Sequence, residues 1–144
     1  MNTKTSYALL LATILFAGAV VIPLAQAAEE APLQIPATTS AIWQAIDQHS
    51  AELAKLIQAG TLQEVHHHAF AIRDLSAALP THAKELSPEQ RKKIESQVKF
   101  VATLAQRLDA SGDSNDRAGA ESNFGKLQVV LSTLRKASIT NGEK

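Results

Sequence analysis

Residues 87–108 read SPEQRKKIESQVKFVATLAQRL, and this stretch decides the fold class. Ser87 can cap a helix, Pro88 suits the first helical position, and Gln90 follows the cap by three residues, which is the capping-box pattern. Apolar residues then recur every three or four positions, as they do on one face of a helix. They are Ile94, Val98, Val101, Ala105 and Leu108. The stretch predicts an amphipathic helix that ends within residues 109–112.

Two further helices are expected before this stretch. The first begins after a cap at residues 38–40, Thr-Thr-Ser, and ends at Gly60, because glycine readily takes the left-handed conformation that follows a helix. The second runs from about Thr61 to Leu79, ends before Pro80, and is followed by a loop that contains His82. Their inward faces are Ile42, Ile46, His49, Leu53, Leu56 and Ile57, then Leu62, Val65, Ala69, Ile72, Ser76 and Leu79.

A fourth helix completes the set. It opens at Asp113 or Ser114, and its apolar face is Ala120, Phe124, Leu127, Leu131 and Leu134. Four amphipathic helices with short connections pack most simply as an all-α, up-down-up-down four-helix bundle. The bundle is expected over residues 38–138, after an extended leader at 28–37 and before a frayed tail at 139–144.

Residues 1–27 carry the pattern of a secretory signal peptide. Lys4 is followed by an apolar run at residues 7–22, then by Pro23 and by Ala-Gln-Ala at 25–27. A helix of that length spans about 24 Å, less than the roughly 30 Å of a hydrocarbon core. We therefore expect cleavage after Ala27 and a periplasmic protein that is not embedded in the membrane. The alternative is an uncleaved N-terminal anchor.

Composition limits the chemistry of the exported chain. There is no Cys, Met1 is the only Met, and Lys4 is the only charge among the first 27 residues of a chain with 14 basic and 14 acidic residues. The mature protein would carry one net negative charge, which argues against nucleic acid as a partner. Without sulfur ligands, a metal would have to bind histidine and carboxylate.

The five histidines are the candidate ligands: His49, His66, His67, His68 and His82. At 100° per residue His66, His67 and His68 fan around a helix, and only His68 points inward. Glu64, four residues earlier, would lie on the same ridge. An antiparallel hairpin at Gly60 brings His49 to the height of residues 70–72, about one turn from His68. If the side of the second helix that carries Glu64 and His68 faces the first helix, His49, Glu64 and His68 converge on a divalent ion such as Zn²⁺ or Cu²⁺. Water then completes the coordination shell of the ion.

Two alternatives stay open for these histidines. His49 and His68 can be separate residues, each bonded to a backbone carbonyl or to water. His66 and His67 can bind metal on the surface, where a second subunit could add imidazoles. Together with an outward-facing Phe70 they can also form a docking patch for a partner protein.

The length, the export signal and the four-helix plan resemble the cytochrome b562-type periplasmic bundles over residues 40–137. That family holds haem with an N-terminal Met and a C-terminal His. The mature chain has no Met and its last His is His82, so haem is not expected. A leader, a bundle and a His cluster on an early helix also resemble small periplasmic proteins that accompany heavy-metal efflux systems.

Catalytic motifs are missing from the sequence. There is no Gly-x-Ser-x-Gly and no glycine-rich phosphate loop. We therefore predict a non-enzymatic metal-binding accessory, a buffer or sensor of a divalent ion, with His49, Glu64 and His68 as ligands and His66 and His67 assisting. The alternative function is a helical interaction or chaperone-like module that docks a partner through His66, His67 and Phe70.

Overall fold

The computed structural model describes residues 33–82 and 86–139. The predicted signal peptide and its cleavage point, the first part of the leader and residues 140–144 of the tail lie outside them. Helix α1 spans Thr39–Ala59, α2 Val65–His82, α3 Pro88–Asp113 and α4 Arg117–Ile139, and a 3-10 turn at Leu62–Glu64 precedes α2. The described residues contain no strand, so the predicted all-α class with four helices is confirmed.

The predicted inward faces form the core. Every residue assigned to them is buried or half-buried, and the largest fully buried side chains include Ile42, Leu53, Ile72, Ile94 and Leu134. Consecutive helices pack against one another, and α1 also contacts α4. The predicted faces left out three large core residues: Trp43, Leu75 and Leu104. Trp43 is only 7% exposed and carries the guanidinium of Arg135 over its ring. None of the described helices is both long enough and apolar enough to cross a bilayer.

Three predicted helix ends are confirmed. The Thr38 side chain accepts a hydrogen bond from Ala41 N at 3.2 Å, and Gly60 closes α1 with a φ of 76°. The capping box at the start of α3 is complete, because Ser87 Oγ accepts from Gln90 N and Gln90 Oε1 accepts from Ser87 N. Local sequence is enough to define these ends, since each cap satisfies backbone groups within one turn.

The predicted end of the second helix before Pro80 is wrong, because α2 continues to His82. Proline in the last turn removes a single backbone donor, and side chains bond the carbonyls there. Arg91 Nη1 donates to Pro80 O at 2.7 Å, and the Thr39 hydroxyl donates to His82 O at 3.3 Å. His82 is thus a helix residue, and its Nδ1–H donates to Ala37 O at 3.1 Å.

The junction of α3 and α4 also differs from the prediction. Gly112 does not end α3; it is buried inside the helix, where a Cβ would lie 2.7 Å from Leu62 O. The residue with positive φ is Asn115, at 52°. Asp116 caps α4 by accepting from Gly119 N at 2.9 Å, in place of Asp113 or Ser114. Gly112 has no side chain, and this allows the 3-10 turn to pack closely against α3. The glycine is therefore required for packing and does not mark the end of the helix.

Candidate metal centre

The structure brings His49 of α1 and His68 of α2 into direct contact. Their Nδ1 atoms are 2.9 Å apart, the ring centroids are 5.2 Å apart, and the ring planes are tilted by 52°. Both side chains are half-buried. The turn at Gly60 reverses the chain between the two helices, and the buried faces of α1 and α2 fix their rotation so that these two imidazoles face each other.

A separation of 2.9 Å sets the protonation of the pair. One Nδ1 must carry a hydrogen and the other a lone pair, so a single proton is shared and both rings cannot be charged without parting. The pKa of His49 is lowered from its ordinary value of 6.5, chiefly by burial and further by the charge of His68. His49 is therefore biased toward neutral imidazole, which is the form that binds metal.

The spacing of the pair is close to that of two ligands on one ion. Two nitrogens bound 2.0–2.1 Å from a tetrahedral metal lie roughly 3.3 Å apart. If the Nδ1 atoms of His49 and His68 moved apart by a few tenths of an ångström, a metal ion would fit between them in place of the shared proton.

Glu52 is a carboxylate near His68, and it was not among the predicted ligands. The pKa of Glu52 is lowered, first by a hydrogen bond from Lys55 Nζ at 2.7 Å, then by the Lys55 charge and, to a smaller extent, by the charge of His68. Glu52 thus lies within electrostatic reach of His68. Its position three residues after His49, on the same face of α1, is the sequence signal that would have found it.

Glu64 does not join His49 and His68. It ends the 3-10 turn, and its Oε2 lies 3.4 Å from His67 Nε2. Because a 3-10 turn has three residues per turn, the four-residue ridge expected between Glu64 and His68 is not formed. No group of three potential metal-ligating side chains occurs within residues 33–82 and 86–139.

The other two members of the triplet differ in their partners. The Nδ1–H of His66 donates to Gln63 O at 2.8 Å. The rings of His66 and His67 lie against each other with centroids 3.8 Å apart. His66 and His82 each donate to a backbone carbonyl, whereas His49 and His68, for which that alternative was stated, bond each other.

The prediction that Phe70 faces outward in a docking patch is wrong. Phe70 is half-buried and packs against the core. The guanidinium of Arg73 covers its ring at 4.5 Å and is bonded to Asp74 at 2.7 Å. The surface near His66 and His67 thus presents imidazole and charge and little apolar area.

Fold and site together define an all-α protein of four helices with two imidazoles in contact between α1 and α2. No protein-family model, no curated protein and no solved structure matches the chain. The resemblance to cytochrome b562-type bundles and to efflux accessory proteins accordingly rests on the helical plan and the histidine pattern.

Proposed function

We propose that this protein is an exported, non-enzymatic metal-binding accessory that holds a divalent ion, Zn²⁺ or Cu²⁺, between His49 and His68. The observation that carries the proposal is the 2.9 Å separation of their Nδ1 atoms. Two neutral imidazoles at this spacing suit both ions. As a buffer or sensor, the protein would take part in metal efflux or tolerance.

Because the described residues contain no group of three potential metal ligands, Glu52 would have to turn from Lys55 toward His68 when the ion binds; Glu52 and water then complete the proposed coordination shell. In the metal-free protein Lys55 holds the Glu52 carboxylate in an ion pair whose two side chains are 69% and 50% exposed. Such exposed pairs are weak, so a divalent ion competes well for the carboxylate. Two protein nitrogens, one carboxylate oxygen and a water give four ligands, while the half-buried position keeps one side open to solvent. Haem is outside the proposal, because the chain after residue 27 has no Met and its last His is His82.

Calorimetric titration tests the proposal. Protein purified after expression of the full chain is titrated with Zn²⁺ and with Cu²⁺ at about pH 7.5, well above the ordinary histidine pKa. We expect binding tighter than about 10 µM, with proton release that depends on the buffer used. Absence of binding in that range for both ions would contradict the proposed function.

Export belongs to the same proposal and rests on the sequence of residues 1–27. Expression of the full chain in a bacterium with two membranes, followed by mass spectrometry of the periplasmic fraction, tests it. The expected product begins at Ala28. A product that retains Met1 and stays in the membrane fraction would support the anchor instead.

An up-down-up-down order of the helices is likewise part of the proposal, and cross-helix contacts support it. Thr39 bonds His82 while His49 bonds His68, so sequence numbers rise along α1 as they fall along α2. Arg135 pairs with Asp47. Arg117 Nη2, near the start of α4, donates to the Gln58 carbonyl near the end of α1.

Partner docking through His66, His67 and Phe70 has less support as a function. Phe70 is half-buried under Arg73, so the apolar anchor that such a patch needs is largely covered. The proposal therefore places metal binding first.

A further inference from the structure

Glu64 and His67 form a second pair of metal-ligand atoms on the surface. Glu64 Oε2 lies 3.4 Å from His67 Nε2, and the two side chains are 56% and 32% exposed. Ligands of a tetrahedral ion lie roughly 3.3 Å apart, so the separation of these two atoms matches that of two ligands on one ion. His67 and His68 are adjacent on α2 and point about 100° apart, which separates this pair from the His49–His68 contact.

One chain supplies only half of such a site. The part of the chain that the structure describes offers no group of three ligands, whereas protein zinc sites use three or four protein ligands. A twofold axis through the ion would bring Glu64 and His67 of a second copy to the two remaining positions. Twofold dimers are the commonest oligomers, because one surface patch serves both partners.

The charges of the patch make this association depend on metal. Two copies brought together without an ion place two Glu64 carboxylates close to each other, which repel. A divalent cation neutralises both carboxylates, and a single net negative charge on the mature chain opposes association only weakly. The neighbouring His66 ring, which is held by the Gln63 carbonyl and lies against His67, limits the rotation of the His67 side chain.

We infer that a divalent ion such as Zn²⁺ joins two copies of this chain through Glu64 and His67 of each copy. The ion then has two carboxylate oxygens and two imidazole nitrogens as ligands, and neither His49 nor His68 coordinates it. This inference uses different residues from the proposed function and can fail or succeed independently of it.

Sedimentation velocity of the protein during a Zn²⁺ titration tests the inference. We expect a monomer in the presence of chelator, a dimer on addition of Zn²⁺, and a return to monomer when chelator is added back. His67→Ala and Glu64→Gln are both expected to stay monomeric with Zn²⁺. Both positions are partly exposed, and circular dichroism checks that each variant is folded.

The matched control is His49→Ala, which removes the contact with His68 and leaves Glu64 and His67 in place. It is expected to dimerise with Zn²⁺ like the unaltered protein even where its calorimetric binding is weakened. A monomer at all Zn²⁺ concentrations up to about 100 µM would overturn the inference. So would a dimer that forms without metal, or one that persists in both His67→Ala and Glu64→Gln.

Discussion

Nδ1 of His49 lies 2.9 Å from Nδ1 of His68, across the contact between α1 and α2. In the metal-free protein this contact is an N–H···N hydrogen bond with one shared proton. Excess protons and metal ions therefore compete for the same two nitrogens. This competition has consequences for the stability of the protein as well as for metal binding.

Stability in the absence of metal is expected to fall as the pH drops below about 6.5. The pKa of His49 is lowered in the folded protein by burial and by the charge of His68, while the unfolded chain keeps the ordinary value of 6.5. Below that value the unfolded chain therefore binds more protons, and acid favours unfolding until the folded protein is protonated too. Urea unfolding between about pH 7.5 and pH 5.5, with chelator present, measures the effect.

The control for this prediction is His49→Gln, which keeps a polar side chain of similar reach but does not titrate. Its free energy of unfolding is expected to vary less over the same pH range. Equal pH dependence of the two proteins would show that His49 is not the titrating group.

Glu52 and Lys55 are expected to have opposite effects on Zn²⁺ affinity. Glu52→Gln removes a charged oxygen ligand and is expected to weaken binding about tenfold. Lys55→Gln releases the Glu52 carboxylate from its 2.7 Å contact and is expected to tighten binding by about threefold. Calorimetry of both variants decides the point, and a Glu52→Gln protein with unchanged affinity would remove Glu52 from the site.

Two helical glycines are expected to respond oppositely to alanine. A Cβ at Gly112 would lie 2.7 Å from Leu62 O, a backbone atom that cannot move alone, so Gly112→Ala is expected to cost about 1–3 kcal/mol. A Cβ at Gly125, within α4, meets nothing within 4 Å, and Gly125→Ala is expected to gain about 0.5–1 kcal/mol from helix propensity. Chemical denaturation measures both. A neutral Gly112→Ala would show that the 3-10 turn is not packed as closely as described.

The faces of the helices could be predicted from the sequence, whereas the end of α2, the end of α3 and the start of α4 could not. Burial follows the three-to-four-residue spacing, so positions such as Ile72 and Leu127 were assigned correctly. The ends at Pro80 and Gly112 depend on contacts from distant residues, namely the Arg91 side chain and the Leu62 carbonyl. Proline and glycine indicate helix ends from local sequence alone, and at these two positions contacts with distant residues determined where the helix ends.

The candidate site was predictable only in part for a similar reason. Spacing placed His68 about one helical turn in height from His49, but it left open which flank of the second helix faces the first. The rotation that brings them together is set by core packing. Glu64 was expected on an α-helical ridge, and the 3-10 turn at Leu62–Glu64 moved it to His67.

Long-range ¹H–¹⁵N NMR of the imidazole nitrogens during a Zn²⁺ titration tests the proposed His49–His68 metal centre most directly. We expect the Nδ1 signals of His49 and His68 to move together to metal-bound shifts as the first equivalent is added, while the signal of His82, bonded to Ala37 O, stays unchanged. If Zn²⁺ binds and neither Nδ1 signal of His49 and His68 responds, the proposed metal centre is contradicted.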